Sequence, residues 1–291
     1  MFSKLKYDTQ KKIMIVMFLF VPLMFLLTFT YYPTAKMFYW SFCTWDGFSP
    51  KVTWVGFANY IQIFKDPLYF SVFKTSLYYF VGGLLQIVLA FYLAIILNSK
   101  IAGKSIFKAI YFFPYILSGV AISLVFLTFY KPDGTLDSVL RLLGVSGKLP
   151  LWFGNPKLIN ISLAATSVWR YIGFNFILFL GSIQSVSPDI LEAAELDGAS
   201  EWQKVRHIIL PKVKNIIKLT LILNVSGAIS AFEIPYIMTG GSNGSMTFIM
   251  KTVNTAFKFQ HYGLAAAMAV IVLVIVACVS SLQYVIIKEE E

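Results

Sequence analysis

Polar and aromatic side chains that could bind a solute lie inside two long apolar stretches, residues 158–182 and 216–238. Aromatic rings offer flat faces on which sugar rings can stack, whereas guanidinium and amide groups donate hydrogen bonds to hydroxyls or carboxylates. Polar groups are costly inside a membrane span, so they tend to face a cavity or a partner helix. The sequence therefore predicts a solute pathway along these two stretches. The candidate residues are Ser167, Trp169, Arg170, Tyr171, Phe174, Asn175, Asn224 and Glu233.

A purely structural role for these side chains is the alternative. Trp169 and Tyr171 can face lipid or pack against a neighbouring helix, and Asn224 can hold two helices together by hydrogen bonding. Arg170 and Glu233 can pair with each other and never contact a solute. An unpaired Arg170 would instead favour an acidic solute, such as a uronate, a sialic acid or a phosphorylated glycerol.

The composition indicates that much of the protein surface contacts lipid. Of the 291 residues, 58% are hydrophobic and only 13% are charged, and the mean hydropathy is +0.73. A soluble domain has about 45–50% apolar and about 25% charged residues. Soluble enzymes, secreted disulfide scaffolds and disordered proteins are therefore excluded. The net charge of +10 indicates cytoplasmic loops that face anionic lipid rather than a nucleic-acid-binding surface.

Six apolar stretches are long enough to cross a bilayer, which takes about 20 residues for about 30 Å of hydrocarbon. They predict an all-α membrane protein with a cytoplasmic N-terminus at 1–12 and a single transmembrane domain at 13–291. An excess of Lys and Arg at 1–12, 99–105 and 183–215 predicts that both termini are cytoplasmic. No internal repeat is visible. The predicted spans are 13–32, 71–98, 106–130, 158–182, 216–238 and 263–287.

One polar segment, residues 183–215, joins the fourth and fifth spans and has a defined pattern. Ser187 and Pro188 predict a helix start, because serine caps a helix and proline suits its first position. Gly198 predicts the end of this helix. A second, amphipathic helix is predicted to follow until Pro211 breaks or restarts it. One side of that helix is predicted to carry Trp202, Val205 and Ile209, with Lys204, Arg206 and Lys212 elsewhere.

This segment resembles the EAA loop of permease subunits of binding-protein-dependent ABC importers. The outer segments Trp45-Asp46-Gly47, 54–60 and Thr239-Gly240-Gly241 resemble the sugar-importer branch, and the pattern is most similar to the maltose and glycerol-3-phosphate uptake type. Ser242 departs from this pattern, because the family has another glycine and a proline there. The resemblance implies a role in coupling to an ATPase for Glu192, Ala193, Ala194, Asp197, Gly198, Ile208, Leu210 and Pro211.

The resemblance also implies that the chain is one subunit of a larger transporter in the bacterial cytoplasmic membrane. Such permeases pair with a second, related permease subunit, dock onto two cytoplasmic ATPase subunits, and receive solute from an extracytoplasmic binding protein. Gly103-Lys104 and Gly147-Lys148 both lack the upstream glycine of a P-loop. We therefore expect ATP and Mg²⁺ on the ATPase subunits, and no enzymatic activity, cofactor or metal on this chain.

Two alternative functions remain open at this stage. An ion-coupled secondary carrier has no use for a docking helix and needs paired ionisable groups in its spans, for which Arg170, Glu233 and Lys74 are the candidates. An ABC permease for amino acids, peptides or an acidic solute would keep the mechanism and change only the solute.

Overall fold

The computed structural model describes residues 6–98 and 103–288. Five helices in this part are long and apolar enough to cross a membrane, or six when a helix pair that bends by 98° counts as one span. The predicted all-α membrane fold is therefore confirmed. The first five residues, most of the predicted basic linker at 99–105 and the acidic end at 289–291 lie outside the described residues.

Fifteen α-helices occur in the part of the chain that the structure describes, and two short antiparallel strands follow the second helix. The strands are β1 (Cys43–Thr44) and β2 (Thr53–Trp54). The helices are α1 (Tyr7–Leu26), α2 (Tyr32–Ser41), α3 (Ala58–Lys65), α4 (Pro67–Ser71), α5 (Phe73–Asn98), α6 (Lys104–Ile116), α7 (Gly119–Phe129), α8 (Thr135–Leu142), α9 (Ile159–Gln184), α10 (Pro188–Leu196), α11 (Glu201–Lys204), α12 (Leu210–Ile229), α13 (Glu233–Thr239), α14 (Phe248–Val253) and α15 (Tyr262–Lys288).

The third predicted span, 106–130, is not one straight helix. It consists of α6 and α7, which are bent by 98° where Leu117 adopts an extended conformation. Pro114 lies inside α6 and has no N–H to donate to the preceding turn, so the helix is weakened just before the bend. The connection that follows, residues 131–157, contains the short helix α8.

Two π turns precede prolines in long helices. The turn Leu27–Tyr31 lies between α1 and α2 and is followed by Pro33, and the turn Val205–Ile209 lies between α11 and α12 and is followed by Pro211. A wider turn accommodates a ring that cannot donate a backbone hydrogen bond. The predicted break at Pro211 is therefore absent: α11, the π turn and α12 form one helical stretch.

The chain divides into two compact units. Unit 1 contains the residues up to Asp66 together with Thr252–Leu273. Within it, the Asn59 amide donates hydrogen bonds to two backbone carbonyls near β1, each 2.9 Å long. Gly263 packs directly against the Cys43 carbonyl, where any Cβ would collide. Helix α1 contains no buried residue, so its apolar surface is exposed along its full length.

Unit 2 contains Pro67–Lys251 and Val274–Glu291. Helices α5 and α9 pack along each other, and the Phe91 and Phe179 rings meet edge to face at 5.5 Å. Helix α6 approaches α9 so closely that a Cβ on Gly173 would collide with the Tyr111 carbonyl. Helix α12 completes this core with Val213, which is fully buried. These helices form the walls of the site described next.

Candidate functional site

Unit 2 contains a cavity of about 560 Å³. Its walls come from α5, α6, α9, α12, α13 and the short break before α13. Aromatic rings, amides, hydroxyls and one pair of opposite charges line it, which is a set of groups that can both stack on and hydrogen-bond to a polar ligand. The aromatic and polar lining residues are Tyr79, Gln86, Tyr115, Ser167, Arg170, Tyr171, Phe174, Asn175, Thr220, Asn224, Ser230, Phe232 and Glu233.

All but one of the predicted pathway residues line this cavity. Trp169 does not, because its ring lies 5.1 Å from the ring of Phe126 and its side chain faces away from the cavity. Successive residues of an α-helix are rotated by about 100°, so Arg170 reaches the cavity while its neighbour Trp169 does not. The structure brings together Ser167, Arg170, Tyr171, Phe174, Asn175, Asn224 and Glu233.

Arg170 and Glu233 form an ion pair in the cavity wall. The Arg170 Nη1 donates to the Glu233 Oε2 over 2.7 Å, and the guanidinium also lies 5.1 Å from the centre of the Tyr171 ring. Arg170 is in the middle of α9, whereas Glu233 is the first residue of α13. The non-helical backbone of Phe232 separates α12 from α13 and lets Glu233 reach the arginine.

Gly119 packs directly against this ion pair. It is the first residue of α7, and a Cβ at this position would collide with the Glu233 Oε2 and the Arg170 Nη1. The bend between α6 and α7 therefore places a helix start beside the carboxylate. The positive end of the α7 dipole therefore lies near the Glu233 carboxylate.

Two buried donor groups in the cavity wall have no hydrogen-bond partner within the part of the chain that the structure describes. They are the Tyr79 hydroxyl and the Arg170 Nε. Tyr79 is only 7% exposed, and an unpaired buried polar group is costly. The amides of Gln86 and Asn175 are almost as deeply buried in the same wall.

Asn224 lines the cavity but also joins two helices. Its Nδ2 donates to the Phe80 carbonyl over 3.1 Å, and its Oδ1 fills the space that a side chain on Gly83 would need. The hydroxyl of Ser226, two residues further along α12, lies 3.4 Å from the Ser280 hydroxyl. Asn224 therefore links two helices, which is the structural alternative given above, and it also lines the cavity.

The contribution of α5 and α6 to the cavity wall was not predicted from the sequence. Tyr79 and Gln86 lie seven positions apart, on one face of α5, and Tyr115 lies near the end of α6. Gln86 is the one amide in an otherwise apolar run, which is a usable signal. Tyr79 carries no such signal, because tyrosine is equally common at membrane surfaces.

The segment 183–215, here called the coupling segment, contains the predicted first helix. The Ser187 hydroxyl accepts a hydrogen bond from the Asp189 backbone N–H over 3.3 Å, and α10 begins at Pro188. Gly198 has a φ of +80°, and the Ala199 N–H donates to the Ala194 carbonyl over 2.9 Å. The predicted start and end of this helix are confirmed.

The predicted faces of the second helix are partly wrong. Val205 and Ile209 are buried, but Trp202 is 69% exposed and does not share their burial. Lys204 is buried instead, and its Nζ contacts the Glu201 carboxylate at 2.5 Å and the Glu195 carboxylate at 3.5 Å. Glu195 belongs to α10, so Lys204 joins the two helices of the coupling segment.

Most of the residues predicted to couple to an ATPase lie at the surface of the coupling segment. Ala194 and Ile208 are half-buried, and the others are exposed. The segment also exposes Leu196, at 89%. It therefore presents small and apolar groups beside a carboxylate, which suits close contact with another protein. The exposed members are Glu192, Ala193, Asp197, Gly198, Leu210 and Pro211.

Comparisons with known proteins agree with this arrangement. The family described as "binding-protein-dependent transport system inner membrane component" matches residues 86–289. The "Probable ABC transporter permease protein YurN" of Bacillus subtilis is 32% identical over 280 residues, covering 94% of this chain and 96% of the relative. The "Multiple sugar-binding transport system permease protein MsmF" of Streptococcus mutans is 31% identical over 277 residues, covering 94% and 95%.

The fold is also similar to that of a solved transporter. A chain of a bacterial ABC transporter "involved in the import of the acidic polysaccharide alginate" superposes with a TM-score of 0.83 at 19% identity, and 97% of each chain is covered. A second structure contains the alginate transporter with a periplasmic protein that holds an alginate pentasaccharide, and it superposes with a TM-score of 0.82.

Proposed function

The chain belongs to the family of binding-protein-dependent transport system inner membrane components, and on this premise we propose that it is the permease subunit through which an ABC importer moves a sugar or oligosaccharide into the cytoplasm. The observation that carries this proposal is the cavity of unit 2, which is lined by aromatic rings, amides and hydroxyls. Relatives support it, since one is named for multiple sugar-binding transport and another for lactose transport.

The chemistry of the cavity lining suits a carbohydrate. A sugar ring has one face rich in C–H groups, which stacks on aromatic rings such as those of Tyr115 and Tyr171, and a rim of hydroxyls, which pair with amides. Gln86 and Asn175 supply buried amides at this wall. In this proposal the predicted pathway residues that line the cavity contact the solute, and Trp169 does not.

Energy for transport would enter through the coupling segment. The helical stretch Glu201–Thr239 begins in that segment and, further along, lines the cavity through Thr220 and Asn224. A displacement of α10 and α11 by a partner would therefore move one wall of the cavity. Because the backbone is not helical at Phe232, α13 and its Glu233 would be able to move separately from α12.

The partners follow from this mechanism. The subunit would pair with a second, related permease, and two cytoplasmic ATPase subunits would bind ATP and Mg²⁺ and contact Glu192 and its neighbours. An extracytoplasmic binding protein would deliver the solute. The permease would lie in the bacterial cytoplasmic membrane with both termini inside, as the distribution of Lys and Arg favours.

Uptake of labelled oligosaccharides, measured together with co-purification of the ATPase, tests the proposal. We expect Glu192→Lys and Gly198→Asp to abolish both while membrane insertion stays normal, because the first reverses an exposed charge and the second places a side chain at φ +80°. Asp8→Lys, the same reversal at an exposed acid outside the coupling segment, serves as the control. Uptake that persists and collapses with the proton or sodium gradient would identify a secondary carrier instead.

A further inference from the structure

The charges in the cavity wall bear on which sugars it accepts. Among the described lining residues, Arg170 and Glu233 are the charged ones, and they neutralise each other across 2.7 Å. We infer that this ion pair makes the cavity selective for neutral sugars over sugars that carry carboxylates, an inference that rests on the proposed function of the cavity. Arg170 and Glu233 are then specificity-determining residues.

Arg170 does not meet a solute as a free cation. Its Nη1 is bound to Glu233, and its guanidinium lies 5.1 Å from the centre of the Tyr171 ring. The Glu233 charge therefore offsets the attraction of Arg170 for a second carboxylate. A solute that displaced Glu233 would leave that acid unpaired beside the bound anion.

The other polar groups of the lining are uncharged amides and hydroxyls, such as those of Gln86, Asn175 and Ser167. Such groups donate to and accept from sugar hydroxyls, so they suit a neutral polyhydroxy compound. They supply no positive charge to compensate the carboxylate of an acidic sugar.

Glu233 adds a repulsive element against acidic solutes. Its side chain is 42% exposed and lines the cavity, so a second carboxylate entering there would meet a like charge. Specificity commonly depends on such unfavourable contacts with the wrong ligand as well as on favourable ones with the right ligand. Removal of this charge is therefore expected to admit uronates rather than simply to weaken all binding.

Equilibrium binding to the purified, complete transporter in nanodiscs, without the binding protein, tests this inference. The probes are a series of neutral trisaccharides that includes maltotriose, and uronate trisaccharides that include trigalacturonate. We expect the wild type to bind a neutral trisaccharide at least about tenfold more tightly than any uronate, because the uronate carboxylate would meet the Glu233 carboxylate. Glu233→Gln should improve uronate affinity about tenfold, because the Arg170 charge becomes available.

Two further variants distinguish an effect of charge on uronate affinity from an effect of damage to the fold. The double variant Arg170→Gln with Glu233→Gln removes both charges and should lose the gain in uronate affinity. Glu201→Gln removes an exposed carboxylate in the coupling segment and should leave both affinities unchanged. Uronate binding by the wild type as tight as that of neutral sugars, or no gain in Glu233→Gln, would overturn the inference alone. Binding of neither series by the wild type would instead contradict the proposed function.

Discussion

The cavity and the coupling segment each hold a largely buried cation against carboxylates, but the acids differ in their surroundings. In the cavity, Arg170 is 12% and Glu233 is 42% exposed. In the coupling segment, Lys204 is 9% exposed, whereas its partners Glu195 and Glu201 are 73% and 88% exposed. Water screens exposed charges efficiently and buried ones poorly. The same pairing chemistry therefore has more effect on stability and selectivity in the cavity than in the coupling segment.

The largest effect on stability is expected from breaking the cavity pair. Arg170→Gln and Glu233→Gln each leave one charge without its partner in a partly enclosed wall, so each should lower the melting temperature of the purified transporter by several degrees. The double variant should recover most of this loss, because no uncompensated charge remains. A double-mutant cycle measured by thermal unfolding in nanodiscs checks this expectation. Strictly additive losses would contradict an interaction between the two residues.

A smaller effect is expected from crowding the pair without changing its charge. In Gly119→Ala, the new methyl group would collide with both members of the pair and push them apart or displace α7. We expect weaker binding of neutral trisaccharides, by a few fold, with a modest loss of thermal stability. Gly181→Ala is the matched control, since a Cβ on that helical glycine of α9 meets open space. Equal behaviour of the two variants would show that the contact at Gly119 has no role.

The smallest effect is expected at Lys204. Lys204→Gln removes the link between α10 and α11, but the carboxylates it leaves behind are solvated. We expect transport to fall less than about twofold at low salt, with no difference from the wild type at high salt, where the wild-type pair is itself screened. A large, salt-independent loss of transport would mean that Lys204 contacts a partner directly.

The sequence indicated those cavity residues whose side chains are unusual inside an apolar stretch. A charge, an amide or a cluster of aromatic rings inside an apolar run is visible without a structure, and Arg170, Asn175 and Glu233 were found in this way. The sequence does not define which face of α9 turns inward, so it did not separate Trp169, which does not line the cavity, from the residues that do. Tyr79 on α5 was missed because tyrosine is equally common at membrane surfaces.

The helix boundaries of the coupling segment were predictable because capping is local chemistry. Ser187 with Pro188 and Gly198 act within a single turn of the chain. Burial along the second helix was not predictable in the same way. Lys204 is buried and contacts two carboxylates, one of them on the preceding helix, while the larger and more apolar Trp202 is exposed. Such an outcome depends on tertiary contacts rather than on residue type.

The bend between α6 and α7 escaped prediction for a different reason. Hydropathy depends on composition over a window of about 20 residues. Residues 106–130 are therefore apolar enough for a membrane span whether the helix is straight or bent. Pro114 was visible in the sequence, but prolines are tolerated inside membrane helices. The consequence of the bend, a helix start at Gly119 beside the ion pair, becomes apparent only in three dimensions.

The most direct test is to measure solute binding and ATPase association in the same preparations of two variants. We expect Glu192→Lys to lose the ATPase subunits while the permease pair keeps wild-type affinity for a neutral trisaccharide. We expect Glu233→Gln to keep the ATPase subunits in full while its preference shifts towards uronates. If Glu192→Lys altered the sugar preference, or Glu233→Gln released the ATPase subunits, the division of solute selection and energy coupling between the cavity and the coupling segment would be contradicted.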